Sequence, residues 1–193
     1  MSINFYNDFI KNGIPDTWKD SEAMQNSFSF RDKNWKVPIT HKTTEFGIGV
    51  FVNENVEQGT ILRVGVDKEN VIIVKNLDWV PNVIKRSENT VQRNRTLEFI
   101  SNYIYGWSYP DGIVETYLWL PGCSINHRKN GANISFIRTK RGVDLFATKN
   151  LEAGEELLAD YNSFGPPASW LVDFLVSSGV KKLCWKGYND FVE

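Results

Sequence analysis

The chain is poor in the residues that build metal sites and disulfide frameworks. Its 193 residues hold two cysteines, Cys123 and Cys184, and two histidines, His41 and His127. A small secreted domain stapled by disulfides needs more cysteine than this, so the count points to a reducing intracellular setting, cytoplasmic or nuclear. With no CxxC or HxxxH pair, an intrinsic zinc site is not expected. A formal net charge of -1 supplies no basic stripe, which argues against direct nucleic-acid binding. No apolar run reaches the roughly 18 residues of a membrane span. The opening stretch MSINFYNDFIKNGIPDTWKD is interrupted by Asn, Asp, Lys, Gly and Pro and does not read as a signal peptide. The oligomeric state is left open. What is present, 41% hydrophobic, 13% aromatic and 23% charged residues, describes a folded globular protein. The length suits one domain with a small insert.

Along the chain, residues 1–44 alternate aromatic and polar residues and include Pro15 and Pro38. They are expected to form an irregular lead-in that packs Phe5, Tyr6, Trp18 and Trp35 onto a body. From Phe46, GIGVFVNENVEQGTILRVG predicts a strand, a turn at Glu57 to Gly59 and a second strand, and NVIIVKN continues the β pattern. The spacing of Val91, Leu97, Ile100, Ser101 and Ile104 predicts a helix within Ser87 to Ile104, followed by a turn at Tyr109 to Gly112. IVETYLWL, ISFIRTK and VDLFATKN return to strand character, the last two joined by a tight turn at Arg141 and Gly142. Beyond Tyr161 a loop leads into a short amphipathic helix capped by Gly179. The expected class is α+β, mainly β, with a helical insert at about 70–115 and no βαβ rhythm.

Three short stretches carry polar chemistry. In FGIGVF the glycines would let a ligand approach the backbone, but β-type residues follow Gly49, which removes a dinucleotide-loop reading. Taken alone, a tight turn or bulge explains the pair as well. SINHRKNGAN sets His127 beside Asn126 and closes on Asn133. LEAGEELLADY joins a turn glycine to paired acids and ends on Tyr161.

In that order and approximate spacing, these stretches resemble the SET-domain family of protein lysine methyltransferases over roughly Glu45 to Phe164. The match uses Gly47-Ile48-Gly49, Asn126-His127 through Asn133, and Gly154-Glu155-Glu156-Leu157 leading to Asp160-Tyr161. The resemblance implies a fold of short strands in small sheets with a knot-like C-terminal core. It divides the chain into a flanking segment at 1–44, a SET domain at 45–164 and a C-terminal helix and tail at 165–193.

Departures are informative. Relatives often carry a zinc-bound cysteine where Lys129 stands, so a zinc-bound C-terminal lid is not expected here. Ala132 replaces a common proline, and the loop is one residue longer than the usual form. A cover must then come from elsewhere, and the tail stretch CWKGYNDF offers Trp185, Tyr188 and Phe191. Simple packing of the tail explains them equally well.

The implied activity is methyl transfer from S-adenosyl-L-methionine to a lysine of a protein or peptide, a histone tail being one candidate. Gly47, Ile48 and Gly49 would meet the cofactor's amino-acid end, Asn126 and His127 would hydrogen-bond it, and Trp185 would cover it. Tyr161 would stand at the transferring methyl as the catalytic residue. Tyr103, Tyr105 and Phe136 would line the lysine channel, with Trp107 nearby; packing serves each aromatic as well. Small Ala159 leaves the number of transfers open. Glu155, Glu156 and Asp160 are read as structural, one glutamate bonded to backbone and the other solvated. An in-line displacement needs collinear geometry and a desolvated neutral amine. The competing reading is a SET-like module that binds protein or a small ligand, or uses the cofactor for other chemistry.

Overall fold

The computed structural model describes residues 5–14, 22–86, 90–108, 114–120 and 124–180. Trp18, the turn at Tyr109 to Gly112, both cysteines and the tail aromatics Trp185, Tyr188 and Phe191 lie outside them.

The lead-in is helical where an irregular segment was expected. Helix α1 spans Phe5–Asn12 and α2 spans Glu22–Arg31. In α1, Tyr6, Phe9 and Ile10 recur at helical spacing and pack into the first core, which fixes a short helix that its few residues would not hold alone. Strand β1, Ile39–Thr44, pairs antiparallel with β2, Gly47–Val52, across a turn at Glu45 and Phe46. β1 escaped the sequence reading because ITHKTT has no apolar alternation. Its outer edge is covered by α2: the His41 N–H donates to Asn26 Oδ1 at 2.7 Å and the Thr43 N–H to the Glu22 carboxylate.

Strands β3, Ile61–Arg63, and β4, Val71–Val74, precede α3, Asn82–Arg86, and α4, Thr90–Tyr103. α4 runs directly into β5, Ile104–Ser108. Leu97, Ile100 and Ser101 of the expected face are buried, while Val91 is exposed. After β6, Val114–Trp119, come β7, Asn126–His127, β8, Ile134–Thr139, β9, Gly142–Ala147, β10, Leu158–Ala159, and α5, Ser169–Ser177. The turn between β8 and β9 falls on Lys140 and Arg141, one residue before its expected place, because Thr139 pairs with Gly142. Helix α5 ends in a Schellman cap, with the Val180 N–H on the Leu175 carbonyl and Gly179 at φ +99°.

The sheets are small: β1-β2, β3-β9-β8, β4-β6-β5 and a parallel β7-β10 pair. The arrangement agrees with the fold that the resemblance implies, mainly β with few helices. One core packs the helices on sheet β4-β6-β5; a second lies between that sheet and β3-β9-β8. The segment before Tyr161 ties the body together. Val52 N–H donates to the Glu155 carbonyl and Leu157 N–H to that of Val50, while Arg128 and Asn133 N–H groups donate to Ala159 and Leu158. Residues 155–159 therefore lie between β2 and the loop after β7, which is the knot-like core.

Candidate functional site

Two different requirements place the glycines of GIG. Gly47 closes the β1–β2 turn at φ +107°, a backbone conformation that glycine adopts without strain, and a Cβ there would meet nothing within 4 Å. Gly49 answers to a neighbour instead: a Cβ would stand 2.1 Å from Glu156 Oε1 and 3.1 Å from Asn126 Nδ2. Asn126 Nδ2 donates to Glu156 Oε1 at 2.7 Å and to Thr44 Oγ1 at 3.3 Å. Glu156 is thus half-buried and engaged, a correction to the expectation that one glutamate is solvated. Glu155 is the backbone-bonded partner, accepting from the Glu152 N–H, from Asn133 Nδ2 and from Lys149 at 2.8 Å. Burial pushes the Glu155 carboxyl up, but these hydrogen bonds and the Lys149 charge outweigh it and hold the group below the usual carboxylate range.

Asn133 closes the polar limb. It is buried, donates to the Glu156 carbonyl at 2.7 Å and accepts from the Leu158 N–H at 2.8 Å. One side chain thereby fixes the loop after β7 to the chain entering β10.

His127 and Tyr161 are joined through the backbone. The Tyr161 N–H donates to His127 Nδ1 at 3.0 Å. A backbone N–H only donates, so Nδ1 carries the lone pair and we assign the Nε2–H tautomer. The Ala159 carbonyl, 3.2 Å from the same nitrogen, is then a contact without a proton between. The two rings lie 5.1 Å apart, and the Tyr161 hydroxyl donates to the Ile125 carbonyl. Asp160 caps the short turn after β10, accepting from the Asn162 N–H at 2.9 Å.

Beyond Tyr161 the site becomes apolar. Tyr103, Tyr105, Trp119, Ile125, Phe136, Tyr161 and Phe164 line a narrow, half-open cavity of about 20 Å³, room for about one water. The structure therefore brings Tyr103, Tyr105, Phe136 and Tyr161 to one place; Trp107 packs in the same core without lining the cavity. Trp119, Ile125 and Phe164 escaped the sequence reading. Trp119 and Ile125 stand in stretches noted only for strand character and for the polar motif, and Phe164 only at the end of the matched stretch.

Phe164 covers this cavity. Its ring lies 4.8 Å from those of Tyr105 and Phe136. It is held by the next residue: Gly106 and Gly165 exchange both N–H···O bonds at 2.9 Å, and a Cβ on Gly106 would stand 1.8 Å from the Pro166 carbonyl oxygen. The Ala168 N–H then donates to Thr116 Oγ1 at 3.0 Å.

The SET-domain family model matches residues 47–162, more than half of the chain. The chain belongs to the SET-domain family. Among solved structures it is similar to CpSET8 from Cryptosporidium, at 17% identity over 83% of this chain and 74% of that one, with a TM-score of 0.46. It is also similar to the Neurospora SET-domain protein DIM-5, a histone lysine methyltransferase, at 20% identity over 73% and 57% of the two chains and a TM-score of 0.40. The methyltransferase domain of human histone-lysine N-methyltransferase SETMAR gives 15% identity over 67% and 46%, with a TM-score of 0.44. No curated protein matches the chain significantly. Membership rests on the sequence match, not on these superpositions. No helix among the described residues is long and apolar enough to cross a membrane.

Proposed function

We propose that the protein is an S-adenosylmethionine-dependent protein-lysine N-methyltransferase. The observation that carries this reading is the position of Tyr161, which borders both the polar limb of Asn126 and His127 and the aromatic cavity. A group-transfer site needs that junction, with a polar surface for one reactant and a dry, narrow passage for the other.

The donor set fits the cofactor's amino-acid end. Asn126 spends its Nδ2 on Glu156 and Thr44, leaving Oδ1 without a partner among the described residues. That oxygen and the Glu156 carboxylate suit an ammonium group, and the backbone of Gly47 to Gly49 runs beside them. When bound, S-adenosylmethionine supplies a methyl carbon: the amine lone pair forms the N–C bond and the C–S pair stays on sulfur, which leaves as a neutral thioether.

The chain's own residues do the rest. The cavity's rings exclude water and favour the neutral form of a lysine whose reference pKa is about 10.4. The Tyr161 O–H is committed to the Ile125 carbonyl, so the phenol oxygen offers its lone pairs to the amine's N–H and orients the nitrogen. The acceptor is a lysine in an extended segment of a protein or peptide, a histone tail among the candidates.

The test has two parts. Calorimetry should detect S-adenosylmethionine binding, and mass spectrometry of protein and peptide acceptors should detect added methyl groups on lysine. No binding at millimolar cofactor would sink this reading. Binding with no transfer across a broad acceptor screen would favour a SET-like binding module.

A further inference from the structure

Asp32 and Trp35 belong to the lead-in, outside the family match, yet both meet a residue deep in the body. Residues 34–36 extend the edge of β3: the Lys36 N–H donates to the Leu62 carbonyl at 2.8 Å, the Val64 N–H to that of Asn34 at 2.9 Å, and Trp35 pairs with Arg63. Arg63 has no exposed side-chain surface. Its Nε and Nη2 both reach Asp32 Oδ2, at 2.9 and 2.8 Å. The other carboxylate oxygen accepts from the Asn34 N–H at 3.0 Å and from Asn70 Nδ2 at 3.3 Å, so the anion is fixed as well.

The guanidinium lies near two indoles. Its central carbon is 5.7 Å from the Trp35 ring and 5.2 Å from that of Trp119, and Nη1 is buried without a hydrogen-bond partner. A fork on a carboxylate beside two rings restricts the orientation of the guanidinium. Stability gives no reason for the arrangement, since apolar residues of the same volume serve a core at least as well as a buried ion pair. A reason stands at Trp119 itself, whose ring packs 5.7 Å from Phe136 where both line the aromatic cavity.

We propose that Arg63, held by Asp32, is a positioning residue that fixes the Trp119 indole as a wall of the cavity and so limits how many methyl groups one lysine receives. The inference rests on the methyltransferase reading for its substrate, and on geometry alone for the fixed indole. Each transfer forms an N–C bond on the amine, breaks the C–S bond with its pair left on sulfur, and sends one amine proton to solvent. The nitrogen therefore returns larger by one methyl group each time. The lysine stem must already part these rings to enter so narrow a cavity, and each added methyl group needs further room that a fixed Trp119 ring withholds.

The experiment compares the wild type with the double variant Asp32→Leu/Arg63→Met, which removes the fork without leaving an unpaired charge, and with Arg63→Lys, which keeps the charge but loses the planar fork. Cooperative unfolding checks that each variant is folded; if the double variant is not, Arg63→Lys carries the test. Products on an acceptor peptide are resolved by mass spectrometry, and Trp119 is observed by fluorine NMR of fluorotryptophan-labelled protein, its signal identified with Trp119→Phe. The wild type should stop at monomethyl-lysine with one sharp Trp119 signal. The variants should raise the share of higher methylation states at least tenfold and broaden or split that signal. An unchanged product distribution in a folded variant overturns the proposal. If the wild type transfers no methyl to any acceptor, the functional reading fails, and an unchanged Trp119 signal in the variants still overturns the positioning role.

Discussion

The side-chain amide of Asn126 donates to the Glu156 carboxylate across 2.7 Å, at the place where Gly49 presents no side chain. Three segments far apart in sequence meet in that contact. The absence of one Cβ makes it possible.

Gly49→Ala is therefore expected to displace Glu156 and disturb Asn126, weakening S-adenosylmethionine binding by tenfold or more in calorimetry. Gly47→Ala should act differently, through strain at φ +107° with open space around it, at about 1 kcal/mol of stability. Equal effects of the two on cofactor affinity would contradict the distinction.

Tyr161→Phe removes the hydroxyl that donates to Ile125 while keeping the ring against His127 and Phe164. Methyl transfer should fall by an order of magnitude or more, with cofactor affinity nearly unchanged. Unaltered turnover would remove Tyr161 from its assigned role.

His41 sets a pH dependence on the fold. Burial pushes its pKa down to about 4, and Nε2 has no partner to receive a charge. The unfolded chain takes up this proton near pH 6.5 and the native state does not, so the stability is present above that pH. It is lost between about pH 6.5 and 4, by about 3 kcal/mol in all. Urea unfolding at pH 7.5 and pH 5 should differ by about 2 kcal/mol of that loss, and His41→Phe should flatten the slope.

Gly106→Ala tests the cover over the aromatic cavity. A methyl group 1.8 Å from the Pro166 carbonyl oxygen forces the Gly165–Pro167 segment away and with it Phe164. Transfer to a peptide should drop with little change in cofactor affinity, and solvent access to Tyr105 and Tyr161 should rise. Hydrogen exchange at the Gly165 amide, which donates to Gly106, reports the release directly.

Much of this molecule was legible from local chemistry. Turn glycines announced themselves: Gly179 caps α5 as expected and Gly154 turns the chain at φ +88° before the paired acids. β-branched runs gave β4, β8 and β9, although the turn at Lys140 and Arg141 fell one residue early because pairing sets the register. The lead-in misled. α1 and α2 are short helices that owe their form to the surfaces they cover, and β1 has polar outward residues and an edge completed by side chains of α2.

The order of GIG, NH through Asn133 and GEELLADY was enough to suggest the family and a mainly β fold, because glycine freedom, short polar motifs and strand periodicity are properties of neighbouring residues. Sequence could not tell an engaged Glu156 from a solvated one, nor show that Trp119, Ile125 and Phe164 face one cavity. Nor could it show Asp32 closing on Arg63 from outside the matched region. Those facts depend on sheet pairing and on the segment lying between β2 and the loop after β7. Contacts between residues distant in the chain are decided by packing, and a linear pattern does not contain them.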